Sequence, residues 1–246
     1  MVQAPQRTAF SGPTLIRLLA RLADVDVTES RQALSDRLSQ WIHWTDAIAL
    51  STALNGNPPA VTPGAQAVGR AEEAECARVR SALANAIVGG SASAAKRHGS
   101  AQTSSHTAPM DDAIDYPAFR QTYLSMQQTM ETGIGNLRGR LRVKLAARTP
   151  AMSRLAEVDV VMERALSPRE RSLLATVPGL LGGHFERLRK AERETLADTQ
   201  VSENAPPITP GAWLNVFRKD MQSVLLAELD LRFQPVEGLL AALRTS

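Results

Sequence analysis

The sequence predicts an all-α protein, an elongated helical bundle of long amphipathic helices with a disordered central linker. Three observations point there. Alternating Val/Ile/Thr/Tyr runs of the kind that build strands are absent, whereas apolar residues recur at three- and four-residue spacing along most of the 246 residues. The good helix formers Ala, Leu, Arg, Glu and Gln fill every periodic stretch. One segment, Gly89 to Ala108 (GGSASAAKRHGSAQTSSHTA), has no Leu, Ile, Val or aromatic residue. It buries too little apolar surface to offset its ordering entropy, so disorder is expected there. The chain then divides into a helical region over 1–88, a low-complexity linker over 89–113 and a helical bundle over 114–246.

The first helix is expected over Pro13 to Ala23, with Ser11 as cap and Pro13 in a first turn, where its missing N–H costs nothing. A second spans about Glu29 to Leu54, with Thr28 as cap. Its stripe Leu34, Leu38, Trp41, Thr45, Ile48, Thr52 has heptad spacing, though two positions are Thr. Asn55 to Gln66 (NGNPPAVTPGAQ) reads as a loop, because its Pro and Gly do not continue a helix. A third helix, about Ala67 to Val88, carries Val68, Val79, Leu83 and Ile87 among many alanines.

The strongest local signal is a helix over about Pro117 to Ala147. Its stripe is Phe119, Tyr123, Met126, Met130, Ile134, Leu137, Leu141 and Leu145, which repeats every eleven residues. That period fits a nearly straight or slightly right-handed seam. Gly133, Gly135 and Gly139 inside it predict a kink or a close helix crossing. Thr149-Pro150 starts the next helix, through Met152, Leu155, Val158, Met162 and Leu166. Ser167-Pro168-Arg169-Glu170 reads as a capping box opening another. Pro178 and Gly182-Gly183 are expected to break the following segment, and Phe185 to Ala197 to resume as a charged helix. Val201 to Pro210 reads as a loop. The last long helix, about Gly211 to Arg232, holds Trp213, Phe217, Met221, Val224, Glu228 and Leu231 in register. Pro235 is expected to set off a short amphipathic end, Val236 to Leu243.

Function classes narrow by what the residues lack. No secretory signal is read at the N-terminus, since Arg17 and Arg21 cut its first apolar stretch, and no window is apolar enough to span a bilayer. With one cysteine, Cys76, a cytoplasmic protein is expected. The four histidines show no metal-ligand spacing, so no metal and no cofactor is expected. Glu72, Glu73 and Glu75 would raise the Cys76 thiol pKa, which speaks against a nucleophile. No phosphate-cradling Gly-rich loop and no nucleophile elbow appears. An enzyme would need a polar pocket around such residues as His184 or Glu228. The first helix (TLIRLLARLA) suits a core or dimer helix better than a membrane-surface one.

Net charge is only +3, but Asn136 to Arg148 (NLRGRLRVKLAAR) gathers Arg138, Arg140, Arg142, Lys144 and Arg148 with no acid between them. Arginines near a helix C-terminus commonly form a solvated face. The functional alternative is a face for an acidic partner or phosphate.

Thr8 to Leu22 (TAFSGPTLIRLLARL), Glu29 to Leu54 (ESRQALSDRLSQWIHWTDAIALSTAL) and Met221 to Leu243 (MQSVLLAELDLRFQPVEGLLAAL) resemble an uncharacterised, mostly beta-proteobacterial family grouped as a domain of unknown function. The resemblance carries no activity and no site residues. It implies a context: neighbours that encode a proton-channel-like inner-membrane protein and a peptidoglycan-binding protein of outer-membrane type.

The resulting expectation is a non-enzymatic cytoplasmic scaffold or adaptor that grips a protein partner through helical faces. The partner is an inner-membrane complex component if the resemblance guides, and self-association fits the same faces. Arg138, Arg140, Arg142, Lys144 and Arg148 are the expected partner-binding residues. Nucleic-acid binding through the same basic face is the alternative.

Overall fold

The computed structural model describes residues 13–25, 32–56, 69–99, 115–201 and 211–245. Among them stand eight helices and no strand. They are α1 (Thr14–Ala23), α2 (Leu34–Trp41), α3 (Trp44–Asn55), α4 (Gly69–Gly99), α5 (Tyr116–Ala146), α6 (Pro150–Leu174), α7 (Val177–Val201) and α8 (Ala212–Thr245). The helices α5 and α8 form the central pair. Around them pack α4, α6, α7 and α1, while α3 lies against the outer side of α6.

One buried core runs from Leu15 and Leu22 on α1 through Cys76, Leu83 and Ile87 on α4 to the whole of α8. The N-terminal and C-terminal helices therefore share one apolar interior. The α5 stripe is buried almost as its period requires. Phe119, Tyr123, Met130, Ile134, Leu137, Leu141 and Leu145 are inside, and Gln127 takes the position expected for Met126, which is only partly covered. The few aromatic residues concentrate where α5, α7 and α8 meet. Phe185 stands edge-on to Trp213 and Phe217 at 4.8 and 5.0 Å between ring centres, with Tyr116 and Phe119 alongside. Such edge-to-face contacts add about 0.5–1.5 kcal/mol each beyond burial.

Helix α1 docks through Leu15 and Leu22, with Leu18 and Leu19 partly covered, so it is a core helix. Its caps at 11 and earlier lie outside the described residues. The expected single helix over 29–54 is two. Ile42 (φ −86°, ψ 115°) and His43 (φ −75°, ψ 163°) are extended and separate α2 from α3. Trp41, Ile42, His43, Trp44 and Thr45 are all middling helix formers in a row, and no burial on that stripe compensates. Leu34 and Ile48, its supposed seam, are exposed.

Helix α4 runs past Val88 to Gly99, so residues 89–99, expected to open the linker, are helical. Composition measured burial there, but extending a nucleated helix through Ser and Ala needs little of it. Residues 100–114 lie outside the described residues.

Three breaks placed at Pro or Gly are not breaks. Pro168 sits inside α6, on its exposed face. Glu170 does not cap there but accepts from Arg232 at 2.9 Å. Pro235 likewise sits on the exposed face of α8, while Phe233, Val236, Leu239 and Leu243 hold the helix on course from the buried side. A proline facing water forfeits one backbone bond that solvent replaces, and the buried flanks outweigh that loss. The actual break is at Ala175–Thr176, and Pro178 falls in the first turn of α7.

Gly182 does not break α7 either; it makes room. A Cβ built there would lie 2.9 Å from the Tyr116 ring, whose hydroxyl donates to the Pro178 carbonyl. Within α5, only Gly133 is at a close crossing, with Leu83 of α4 3.5 Å from its would-be Cβ; Gly135 and Gly139 face open space. Two substitutions test this division. Gly182→Ala is expected to destabilise the fold by about 1–3 kcal/mol, because the ring is hemmed in by Phe185 and Phe217. Gly135→Ala is expected to stabilise it by about 0.5–1 kcal/mol through helix propensity alone. Denaturant unfolding followed by helical ellipticity measures both.

Candidate functional site

The α2–α3 hairpin is the part of the fold with the least burial. No residue of α2 is buried and only Ala53 is in α3. The inner side of α3 meets α6, where Asp46 approaches Arg164 at 3.7 Å. Trp41 lies under the guanidinium of Arg169, 5.7 Å from the ring centre. Between the two helices runs a groove of about 540 Å³, lined by Leu38, Ser39, Ile42, Ala47, Leu50, Ser51, Leu54 and Asn55. The α3 contribution falls at 47, 50, 51 and 54, the spacing of one helical face. None of these lining residues carries a charge. Beside it stand Leu34 and Trp44, 70 and 79 % exposed, and Ile48 at 50 %. The heptad-spaced stripe from Leu34 to Thr52, expected on one helix, is divided by the break, and Leu34 and Ile48 are exposed.

A second cleft, also about 540 Å³, lies between α4 and α8, with Cys76, Ala77, Phe233 and Leu240 beneath Glu73, Arg80, Glu237 and Arg244. Ion pairs strap it. Arg80 bonds Asp230 and Glu237 at 2.7 Å each, and Arg244 bonds Glu73 at 2.6 Å. These bonds join the two helices across the cleft. Burial, then Glu75 and Glu72, push the Cys76 thiol pKa up, as the sequence suggested.

The basic run on α5 is held by carboxylates of neighbouring helices. Arg138 forks onto Asp159 of α6 at 2.6 and 2.8 Å, and Arg142 bonds the same carboxylate at 2.6 Å and also reaches Glu163. Arg140 bonds Glu75 at 2.7 Å, and Lys144 bonds Glu72 at 2.6 Å, both on α4. Arg148 has no ion pair among the described residues and is half-buried at the end of α5. Four of the five expected partner-binding residues thus serve as ties from α5 to α4 and α6. The acids they needed lie 17 to 72 positions away, beyond the reach of a reading of helix faces.

Glu228, in the apolar register of α8, is fully buried. It accepts from the Tyr123 hydroxyl at 2.6 Å, from Gln127 Nε2 at 3.0 Å and from Arg232 Nε at 2.9 Å. Gln127 also donates to the Leu174 carbonyl. Burial and the adjacent Glu228 charge push the Tyr123 hydroxyl pKa up, so it stays a donor. Neither groove reaches this carboxylate. His184 Nε2 lies 2.8 Å from Asp220, which also approaches Arg21 of α1 at 3.8 Å. Among the described residues no set of three His, Cys, Asp or Glu side chains is placed to hold a metal ion, and no helix is long and apolar enough to cross a membrane.

A family model described as "Protein of unknown function (DUF3348)" matches residues 1–245. That is a domain-of-unknown-function family, as stretches 8–22, 29–54 and 221–243 implied. No curated protein and no solved structure matches the chain.

The charge networks yield two measurable expectations. Desolvation raises the Asp159 pKa, but hydrogen bonds and charge from Arg138 and Arg142 outweigh it and hold the carboxyl below the ordinary aspartate range. A carboxyl depressed on folding contributes stability that is full above its unfolded pKa of about 3.9 and is lost as pH falls through the folded value. Asp159→Asn is therefore expected to cost about 1–3 kcal/mol at pH 7, and the gap from wild type should narrow below pH 4 in denaturant titrations. Glu228→Ala leaves the Arg232 guanidinium, 7 % exposed, without its buried partner. About 3–5 kcal/mol of stability is expected to disappear, read as a lower urea midpoint.

Proposed function

We propose, for a chain that belongs to the DUF3348 family, a non-enzymatic role as a cytoplasmic helical adaptor that docks an apolar helix of a protein partner in the α2–α3 groove. The observation that carries this reading is the contrast between that groove and the other cleft. Its lining is uncharged and apolar, with Leu34, Trp44 and Ile48 exposed beside it. The other cleft is crossed by ion pairs that tie α4 to α8.

A groove between two helices accepts a third by the ordinary physics of helix packing. Apolar anchors spaced three and four residues apart enter between the ridges, and burial contributes about 25 cal/mol per Å². The small side chains Ala47 and Ser51 permit close approach, and Ser39, Ser51 and Asn55 offer polar contacts along the rim. The implied inner-membrane partner supplies one source of such a helix. The basic run lends little to the nucleic-acid alternative, because Arg138, Arg140, Arg142 and Lys144 already face carboxylates.

Affinity capture from the native bacterium with the full chain, Ile48→Glu and Val143→Glu tests the reading. Both residues are exposed, so helicity should be unchanged. Proteins retained by wild type and by Val143→Glu but lost with Ile48→Glu support the groove. Equal retention by all three chains, or turnover of a small molecule by the pure protein, overturns it.

A further inference from the structure

The two helices of the hairpin are held very unequally. Helix α3 lies along α6, with Ala53 buried and Asp46 near Arg164. Helix α2 meets α6 only lightly, has no buried residue and barely meets α3. Its aromatic tie to α6 is Trp41 under the Arg169 guanidinium, at 5.7 Å, and a cation–π contact at an exposed site is weak. The α2 ladder closes with the Ile42 N–H on the Leu38 carbonyl, and the α3 ladder opens with the Ala47 N–H on the His43 carbonyl. The two ladders thus meet at one extended peptide, Ile42–His43, which is the natural pivot between them.

What faces across the groove is complementary. On α2, Leu34, Leu38 and Ile42 recur every four residues and form one stripe. On α3, the large Leu50 and Leu54 alternate with the small Ala47 and Ser51. Measured from the pivot, Leu38 and Ala47 are each about 7 Å away along their helices, and Leu34 and Ser51 each about 13 Å. Each of these α2 leucines therefore stands level with a small α3 residue that has larger ones beside it, the pattern in which a ridge enters a groove. Leu34 is exposed, and neither the stripe nor the lining carries a charge. Closing the gap buries apolar surface without desolvating an ion.

We propose that α2 is a lid. It swings about Ile42–His43 onto α3, seats Leu38 over Ala47 and Leu34 over Ser51, and is latched open by Trp41 on Arg169. Arg169 is then a positioning residue of the groove, outside its lining. The lid gives the groove a closed state; its part in controlling a partner rests on the reading of that groove as a docking site.

The full chain carrying Leu34→Cys and Ser51→Cys tests the closure. Both positions are exposed, so helicity should match wild type, and the chain's own Cys76 is buried. A disulfide needs the two Cβ atoms about 4 Å apart, which requires the gap between the helices to close. In a glutathione redox buffer, peptide mapping is expected to show an intrachain disulfide between positions 34 and 51. With Thr52→Cys in place of Ser51→Cys, about 100° further round α3, the bond should form roughly tenfold more slowly. Adding Arg169→Ala should speed the 34–51 bond about threefold, and Arg169→Lys, which restores the cation, should speed it less. No disulfide, equal rates for positions 51 and 52, or a rate indifferent to Arg169→Ala overturns the lid. Affinity capture with the oxidised and reduced chains separates the lid from the docking site. Proteins lost on locking and regained on reduction support both. A lid that locks without changing capture stands without the docking site. Captured proteins lost with Ile48→Glu, in a chain that forms no 34–51 disulfide, retire the lid and keep the docking site.

Discussion

A carboxylate with no solvent exposure must have every lone pair answered from within, and in this protein that demand sets the register of three helices. Glu228 stands on α8, its donors Tyr123 and Gln127 on α5, and Arg232 one turn further along α8. Gln127 reaches the Leu174 carbonyl near the end of α6, and Arg232 reaches Glu170 on the same helix. Sliding α5 along α8 by one turn would leave the buried Glu228 without its two α5 donors, at a cost of roughly 1–3 kcal/mol for each bond lost. Apolar stripes alone tolerate such a slip, because Leu replaces Leu. The buried polar set thus gives the α5–α8 pair one alignment, and the aromatic cluster at the α7 end and the salt ties at the α4 end are built on it.

Those ties show where the arginine-rich charge goes. Arg138 and Arg142 share Asp159, Arg140 and Lys144 take the acids of α4, and Arg80 and Arg244 bridge α4 to α8. Exposed pairs of this kind contribute only 0–1 kcal/mol singly. The Asp159 set is more enclosed and forked, which favours arginine over lysine. Their combined effect is specificity of helix neighbours: the glutamates of α4 meet the α5 bases in one register.

What the sequence made legible follows from range. The α5 and α8 stripes are local periodicities, and Phe119 through Leu145 and Trp213 through Glu228 are inside as that spacing requires, with Met126 and Leu231 only partly covered. Prolines and glycines misled because their effect depends on which side of the helix they occupy. Pro168 and Pro235 face solvent, and Gly182 carries a tyrosine ring, facts that only the packing supplies. The basic run looked available because its acids are remote in sequence. The groove was hidden by the opposite error. A heptad-like stripe from Leu34 to Thr52 suggested one continuous helix, and the break at Ile42-His43 folds that stripe into a hairpin with an apolar furrow.

The adaptor role proposed for this chain draws on where its ionisable groups lie. Catalytic groups are set apart by being desolvated yet open to a substrate. Here the fully buried Glu228 is closed off by Tyr123, Gln127 and Arg232. The α2–α3 groove holds no group that titrates, whereas the α4–α8 cleft has the buried Cys76 in its lining beneath ion pairs. What the α2–α3 groove offers is apolar area, shape and neutral hydrogen-bonding side chains, the features on which the proposed helix docking rests.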